Sequence, residues 1–327
     1  MPAPRRSLLI GAALTLALGA SVSVGSAAEV DVENAVQTRA SEGVFEVRYA
    51  YGAAWVAAPR RLVRVSPDGR VRKGSPVPGT IVDFTEGFGR MWILWTKGRD
   101  SYVAQARRSD GRIIGSPRRA KTRSLRSTIA SGAGSVWVGG SSNVLLRVNP
   151  RTLRSRPTRL PGGGATTLFV EKGTVYTIAG STLLGHRARD LRRTTRDRLP
   201  DGAWQGAVAY GAGNFFFAWG KATEADAANV TPGAGVTART DISASFPAIW
   251  HAAVGLGSSW FANQLINAQA EPTAANITRL GPGLASSVSG SLPGTQSVSA
   301  LTTGGGWLWL LDNASGVLYQ VRPDSVG

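Results

Sequence analysis

One short pattern recurs seven times along this 327-residue chain: a glycine followed three residues later by a large aromatic. The copies read YGAAWVAA, GFGRMWIL, GAGSVWVG, EKGTVYTI, GAGNFFFA, GLGSSWFA and GGGWLWLL. Their glycines are Gly52, Gly89, Gly134, Gly173, Gly213, Gly257 and Gly306, and their aromatics Trp55, Trp92, Trp137, Tyr176, Phe216, Trp260 and Trp309. A second landmark follows the first. Leu62-Val63-Arg64-Val65-Ser66-Pro67 aligns without gaps on Leu145-Leu146-Arg147-Val148-Asn149-Pro150, with weaker copies at 277–282 and 318–323. Residues 132–152, GAGSVWVGGSSNVLLRVNPRT, carry both landmarks in one hairpin. A lone hairpin cannot bury its apolar face, so each copy needs neighbours of its own kind.

Successive glycines lie 37, 45, 39, 40, 44 and 49 residues apart. A period of about 42 residues suits one four-stranded propeller blade. The sequence therefore predicts an all-β, seven-bladed β-propeller with four-stranded antiparallel blades. Strand a runs into the glycine turn, strand b carries the aromatic, strand c ends near proline, and strand d lies outermost. Proline suits the end of a strand because it has no N–H to donate to a ladder. The seventh copy stops after strand c, whereas residues 29–40, EVDVENAVQTRA, precede the first copy with no other employment. This amino-terminal strand is predicted to supply the outer strand of blade seven and close the ring. The propeller domain then spans 29–327.

The pattern Gly132 to Thr152 resembles the YVTN and virginiamycin B lyase-like β-propeller superfamily, whose units run G-x-G-x-V-W-V and then L-x-R-I-D-P-x-T. The resemblance covers most of residues 41–323 and implies the propeller architecture. Lyases of that group use a histidine with a nearby glutamate and magnesium. Here His251 has no acid in sequence between Asp241 and Glu271. Propeller lactonases hold calcium with clustered carboxylates, but no D-x-D loop is present in this chain. No catalytic constellation is identifiable, so the reading favours a binding module over an enzyme, with no cofactor and no metal. A lyase-like or lactonase-like enzyme with a site near His251 is the alternative.

Residues 1–28, MPAPRRSLLIGAALTLALGASVSVGSAA, have a basic start, an apolar centre and small residues at Ser26 and Ala28. That is the pattern of a secretory signal peptide. Arg5-Arg6 allows either the general export route or a twin-arginine route. The expected location is secreted, periplasmic or at the cell envelope. No later segment reaches the length of a membrane span. The absence of cysteine excludes disulfides and thiolate chemistry.

Two surfaces are candidates for binding. The face bearing the b–c and d–a loops would collect Trp95, Trp204, Trp219, Trp250, His251, Asn263, Gln264, Asp312 and Asn313. Aromatics beside amides suit a sugar or polyol, through ring stacking and hydrogen bonds to hydroxyls. Blade six is expected to extend this face with a long b–c loop, NQLINAQAEPTAAN. The other histidine, His186, aligns with Val148 inside strand c and is expected to be structural.

The second surface is electrostatic. The formal net charge is +17, yet residues 60–198 hold 29 Lys and Arg against 8 acids, and residues 199–327 hold 4 against 7. The densest runs follow strand c, which predicts a basic rim on blades one to four. Its expected contacts are Arg118, Arg119, Lys121, Arg123, Arg154, Arg156, Arg192 and Arg193. Charged edges also discourage strand pairing between molecules. The partner expected is an anionic envelope polymer or glycan, or a protein, and not nucleic acid, because the chain is read as exported. The function read from sequence is an exported binding or interaction module at the cell envelope.

Overall fold

The computed structural model describes residues 28–326 apart from 39–45, 121–126, 141–142, 161–166, 204–205, 221–224, 243–247, 267–271, 293–294, 296–297 and 313. Residues 1–27, within the expected signal peptide, lie outside the described residues. Seven antiparallel sheets follow one another around a ring, and each of the first six is built in sequence order from strands a, b, c and d. Strand a of each blade packs on strand a of the next, for instance Thr128–Gly132 against Thr167–Glu171. The seven inner strands thereby enclose a central channel.

The glycine landmark is a two-residue turn with both central residues at positive φ, as in Ala133 (50°) and Gly134 (73°). All seven a–b turns share it. This is the turn whose twist matches that of the strands it joins. The aromatic landmark is buried between blades, with Trp55, Trp137 and Trp260 wholly buried and Trp309 almost so. Five indoles donate Nε1–H to the last carbonyl of their own strand a: Trp55 to Ala50 (3.0 Å), Trp92 to Gly87 (3.0 Å), Trp137 to Gly132 (3.1 Å), Trp260 to Gly255 (2.9 Å) and Trp309 to Gly304 (3.1 Å). Tryptophan thus fills the gap between blades and ties strand b to the end of strand a. Burying one indole stabilises the fold by about 4 kcal/mol or more. Tyr176 and Phe216 occupy the site in blades four and five without this bond.

The ring closes where blade seven meets blade one. Val32–Gln37 pairs antiparallel with Val317–Val321, aligning Val36 with Leu318 and Ala35 with Tyr319, and so supplies the fourth strand of blade seven. Thr38 fastens the end of this latch through its N–H and Oγ1 to Gly316 O at 2.9 and 2.7 Å. Gly304 is required at the seam, since a Cβ there would stand 2.1 Å from the Tyr49 ring of blade one. Ahead of the latch, Ala28–Glu29 runs parallel to Ser287–Ser291 and makes a fifth strand on blade six. Val30 then packs with Trp260, Leu292 and Val326.

One expectation needs correction. The additional residues of blade six do not form only a loop. They lengthen strands b and c to nine residues each, Ser258–Ile266 and Pro272–Leu280, with Asn263 opposite Asn276 and Gln264 opposite Ala275. Backbone hydrogen bonding continues along both strands wherever turn residues do not interrupt it.

Candidate functional site

The channel wall is made from strand a of all seven blades, and its cavity measures about 520 Å³. Its charge is concentrated in blades one and two. Arg48 lies with its Nη2 3.1 Å from Asp83 Oδ1 and its Nε 3.1 Å from Glu46 Oε1. Asp83 also accepts from its own neighbour's amide, Phe84 N (2.7 Å), and from blade three, through Ile129 N (2.7 Å) and Thr128 Oγ1 (3.0 Å). One carboxylate therefore joins blades one, two and three. Burial pushes it up to about 6, against the opposing pull of Arg48. Burial raises Glu46 in the same way, again opposed by Arg48. Glu86 Oε2, also buried, has no hydrogen-bond partner among the described residues.

His251 lines the same cavity from blade six. Burial, assisted by the Arg48 cation, pushes its imidazole down to about 4, so it is neutral at pH 7. The charge that acts on it is a cation and not a carboxylate. Among the described residues no group of three His, Asp or Glu side chains is placed to hold a metal ion.

The Glu46–Arg48–Asp83 cluster was not singled out from the sequence. Its signal was present: FEVRYA and VDFTEG put charged residues in strands that are otherwise apolar and lie just before the turn glycine. His186 is buried in strand c of blade four, with Nδ1 3.4 Å from Leu191 O. It is structural, as expected.

The aromatic face is less open than its residues suggested. Trp95 is 1% exposed and stacks on Tyr102 at 5.7 Å, and Trp219 is 2% exposed beneath the Arg239 guanidinium at 5.8 Å. Neither presents a ring face to a sugar, because strand b carries both inward under the d–a loop. Asp312 is buried and engaged in its own turn, accepting from Ala314 N (2.9 Å), Ser315 Oγ (2.7 Å) and Thr295 Oγ1 (2.9 Å). Trp250 lies in strand a of blade six, and Asn263 and Gln264 lie in its strand b. The side chains of these three residues, and the whole of Trp204 and Asn313, lie outside the described residues.

The rim is built from the outer strands. Arg118 and Arg119 lie in Ile113–Ala120, Arg156 in Ser155–Arg159, and Arg193 in Arg193–Arg198, all exposed, with Arg154 and Arg192 in the turns just before. Lys121 and Arg123 lie outside the described residues. Arg119 pairs with Asp100. Arg118, Arg154, Arg156, Arg192 and Arg193 make no ion pair among the described residues. The outer strands of blades five to seven differ: GVTARTDI, SVSGS and VENAVQ hold one arginine between them.

By sequence the chain matches no protein-family model and no curated protein. By structure it is similar to a chain of the mitotic checkpoint complex, with TM-score 0.66 and 10% identity over 97% of this chain and 98% of that one. It is also similar to the Pan2 WD40 domain of Neurospora crassa (TM-score 0.62, 10% identity, 85% and 89% covered). A third similar structure is BamB of Moraxella catarrhalis (0.53, 12% identity, 85% of each chain). At such low identity the likeness concerns fold alone. It agrees with the strand count and order in making this chain a seven-bladed β-propeller.

Proposed function

We propose that the protein is an exported binding module whose basic arc holds an anionic polymer of the cell envelope. One observation carries this reading: the outer strands of blades one to four expose arginines without carboxylate partners, while those of blades five to seven are nearly neutral. Edge protection alone would favour charge on blades five and seven as well, since their outer strands carry no further strand and have exposed edges. Concentration on one arc favours a partner. Location outside the cytoplasm rests on the leader-like residues 1–28, and kinship with the YVTN and virginiamycin B lyase-like repeats rests on the G-x-G-x-V-W-V units. Among the described residues no helix is long and apolar enough to cross a membrane.

The test is co-sedimentation of the protein with envelope fractions from its own cells across a salt series. A variant changes Arg118, Arg154, Arg156, Arg192 and Arg193 to Ser. Binding that weakens with salt and disappears in the variant supports the reading, because contacts between exposed charges are screened within about 10 Å at 0.1 M salt. Binding by the variant equal to that of the parent protein overturns it. The lyase-like alternative draws less support from the channel, where the charge that acts on His251 is the Arg48 cation and the acids Glu46 and Asp83 are themselves paired with Arg48.

A further inference from the structure

The c–d turns of blades one to four are copies of one another in a way that the run of basic residues conceals. In each, a residue at positive φ is followed directly by an arginine: Gly69–Arg70, Gly111–Arg112, Leu153–Arg154 and Leu191–Arg192, with φ of 77°, 72°, 57° and 57°. The arginine N–H donates to a side-chain oxygen two residues back, at Asp68 (3.5 Å), Asp110 (3.0 Å), Thr152 (3.4 Å) and Asp190 (3.1 Å). Its carbonyl accepts the N–H that begins the turn, from Ser66, Arg107, Asn149 and Arg187, at 2.8 to 3.1 Å. Neighbouring blades steady two of these turns. Asn34 Nδ2 of blade seven donates to Pro67 O (3.4 Å), and Gln105 Nε2 of blade two donates to Pro150 O (2.5 Å).

Turns 107–112, 149–154 and 187–192 each hold two more arginines than acids, whereas turn 66–70 sets Arg70 against Asp68 (3.0 Å) and gains its excess charge from Arg72 and Lys73 in the outer strand that follows. The equivalent turns 231–235 and 281–286 hold no charge, and 322–326 balances Arg322 with Asp324. Strand direction puts all c–d turns on the face of the a–b turns, opposite the face of the b–c loops.

We propose that these four turns form a repeated cationic track, one arginine per blade, that binds a linear polyanion laid across successive blades. This deepens the proposed function and rests on it. Two features favour an extended polymer over a compact anion. The arginines are repeated blade by blade around the ring instead of converging on one point. Their backbones are also fixed before binding, so little order is lost when a long ligand settles across them. Because the turn is held by the arginine's main chain, exchanging its side chain leaves the turn intact.

The experiment measures affinity by calorimetry at several salt concentrations for tripolyphosphate, a medium inorganic polyphosphate and one of roughly a hundred units. Polygalacturonate provides a carboxylate arm. One variant changes Arg70, Arg112, Arg154 and Arg192 to Ser, a second changes the same four to Lys, and a third changes Arg118, Arg156 and Arg196 to Ser.

The expected result is tight binding by long chains only, with the Ser turn variant losing at least about tenfold in affinity and about 3 from the slope of log K against log salt. The Lys variant retains most of the binding. Preference between the phosphate and carboxylate arms identifies the anion. Equal affinity for tripolyphosphate and the long chain overturns the track but leaves a basic binding surface standing. So does a loss of binding confined to the third variant. Failure of every probe to bind overturns both the track and the proposed function.

Discussion

Blades three and six have almost the same interior and very different exteriors. Inside, Trp137 and Trp260 bond to Gly132 O and Gly255 O at 3.1 and 2.9 Å. Arg147 and Arg279 lie over those indoles, each at 5.4 Å, and each donates Nε–H to the first serine of strand b, Ser135 at 2.8 Å and Ser258 at 3.0 Å. Outside, blade three ends in the bare strand SRPTR with a basic turn. Blade six ends in SVSGS, follows an uncharged turn and is overlaid by Ala28–Glu29. The inner three strands repeat because they must pack against neighbours on both sides. The outer strand and its turn meet solvent, so they are free to differ, and the proposed binding surface lies there.

The comparison can be broken most severely at its shared core. Trp137→Ala and Trp260→Ala should each cost about 3–5 kcal/mol in urea unfolding, and by similar amounts. Losses differing by more than about 2 kcal/mol would mean that the two interiors are not equivalent.

Next in size is acid sensitivity, which should distinguish the blades. Thr128 and His251 occupy the same place, six residues before the turn glycine, but only the histidine titrates. Its folded value, near 4, lies below the unfolded value of about 6.5. The unfolded chain therefore takes up the proton first, and stability falls as pH drops from 6.5 toward 4. His251→Gln should remove about 1–3 kcal/mol of that fall, read from unfolding midpoints at pH 7 and pH 4. An unchanged pH dependence would show that the imidazole is solvated.

A smaller effect concerns the stacked guanidinium. Arg147→Met and Arg279→Met should each cost about 1 kcal/mol and affect both blades alike. Smallest of all, Arg156→Ser with Arg159→Ser should leave stability within about 0.5 kcal/mol while weakening polyanion binding.

Blade number, turn glycines and the latch were legible because each rests on backbone chemistry that shows directly in residue type. Proline ends a ladder, glycine accepts positive φ, and an unpaired final strand needs a partner. The site was less legible. Trp95 and Trp219 look like ligand aromatics in a list of residues, but their place in strand b turns them under the d–a loop. Asp83 looked like one acid among 20 scattered ones. Its three-blade contact joins residues 35 to 46 apart in sequence, and only the closed ring brings them together. The c–d track was hidden for a further reason: two of its turns use Gly at positive φ and two use Leu, so no single motif spells it.

The latch has a consequence for the order of folding. Its contacts join positions up to 294 residues apart, as between Asp31 and Ser325, whereas pairing within the other blades is local apart from the short Ala28–Glu29 strand on blade six. Chain closure over such a span is slow compared with hairpin formation. During vectorial synthesis Val32–Gln37 is made first and finds its partner last. Blades one to six then assemble as an open arc, and its two ends meet only when Val317–Val321 arrives. Pulse-labelled hydrogen exchange should accordingly find the amides of this seam the last to gain protection. Until that moment the chain exposes one unpaired edge at each end, which makes the final few residues the step that turns a spiral into a ring.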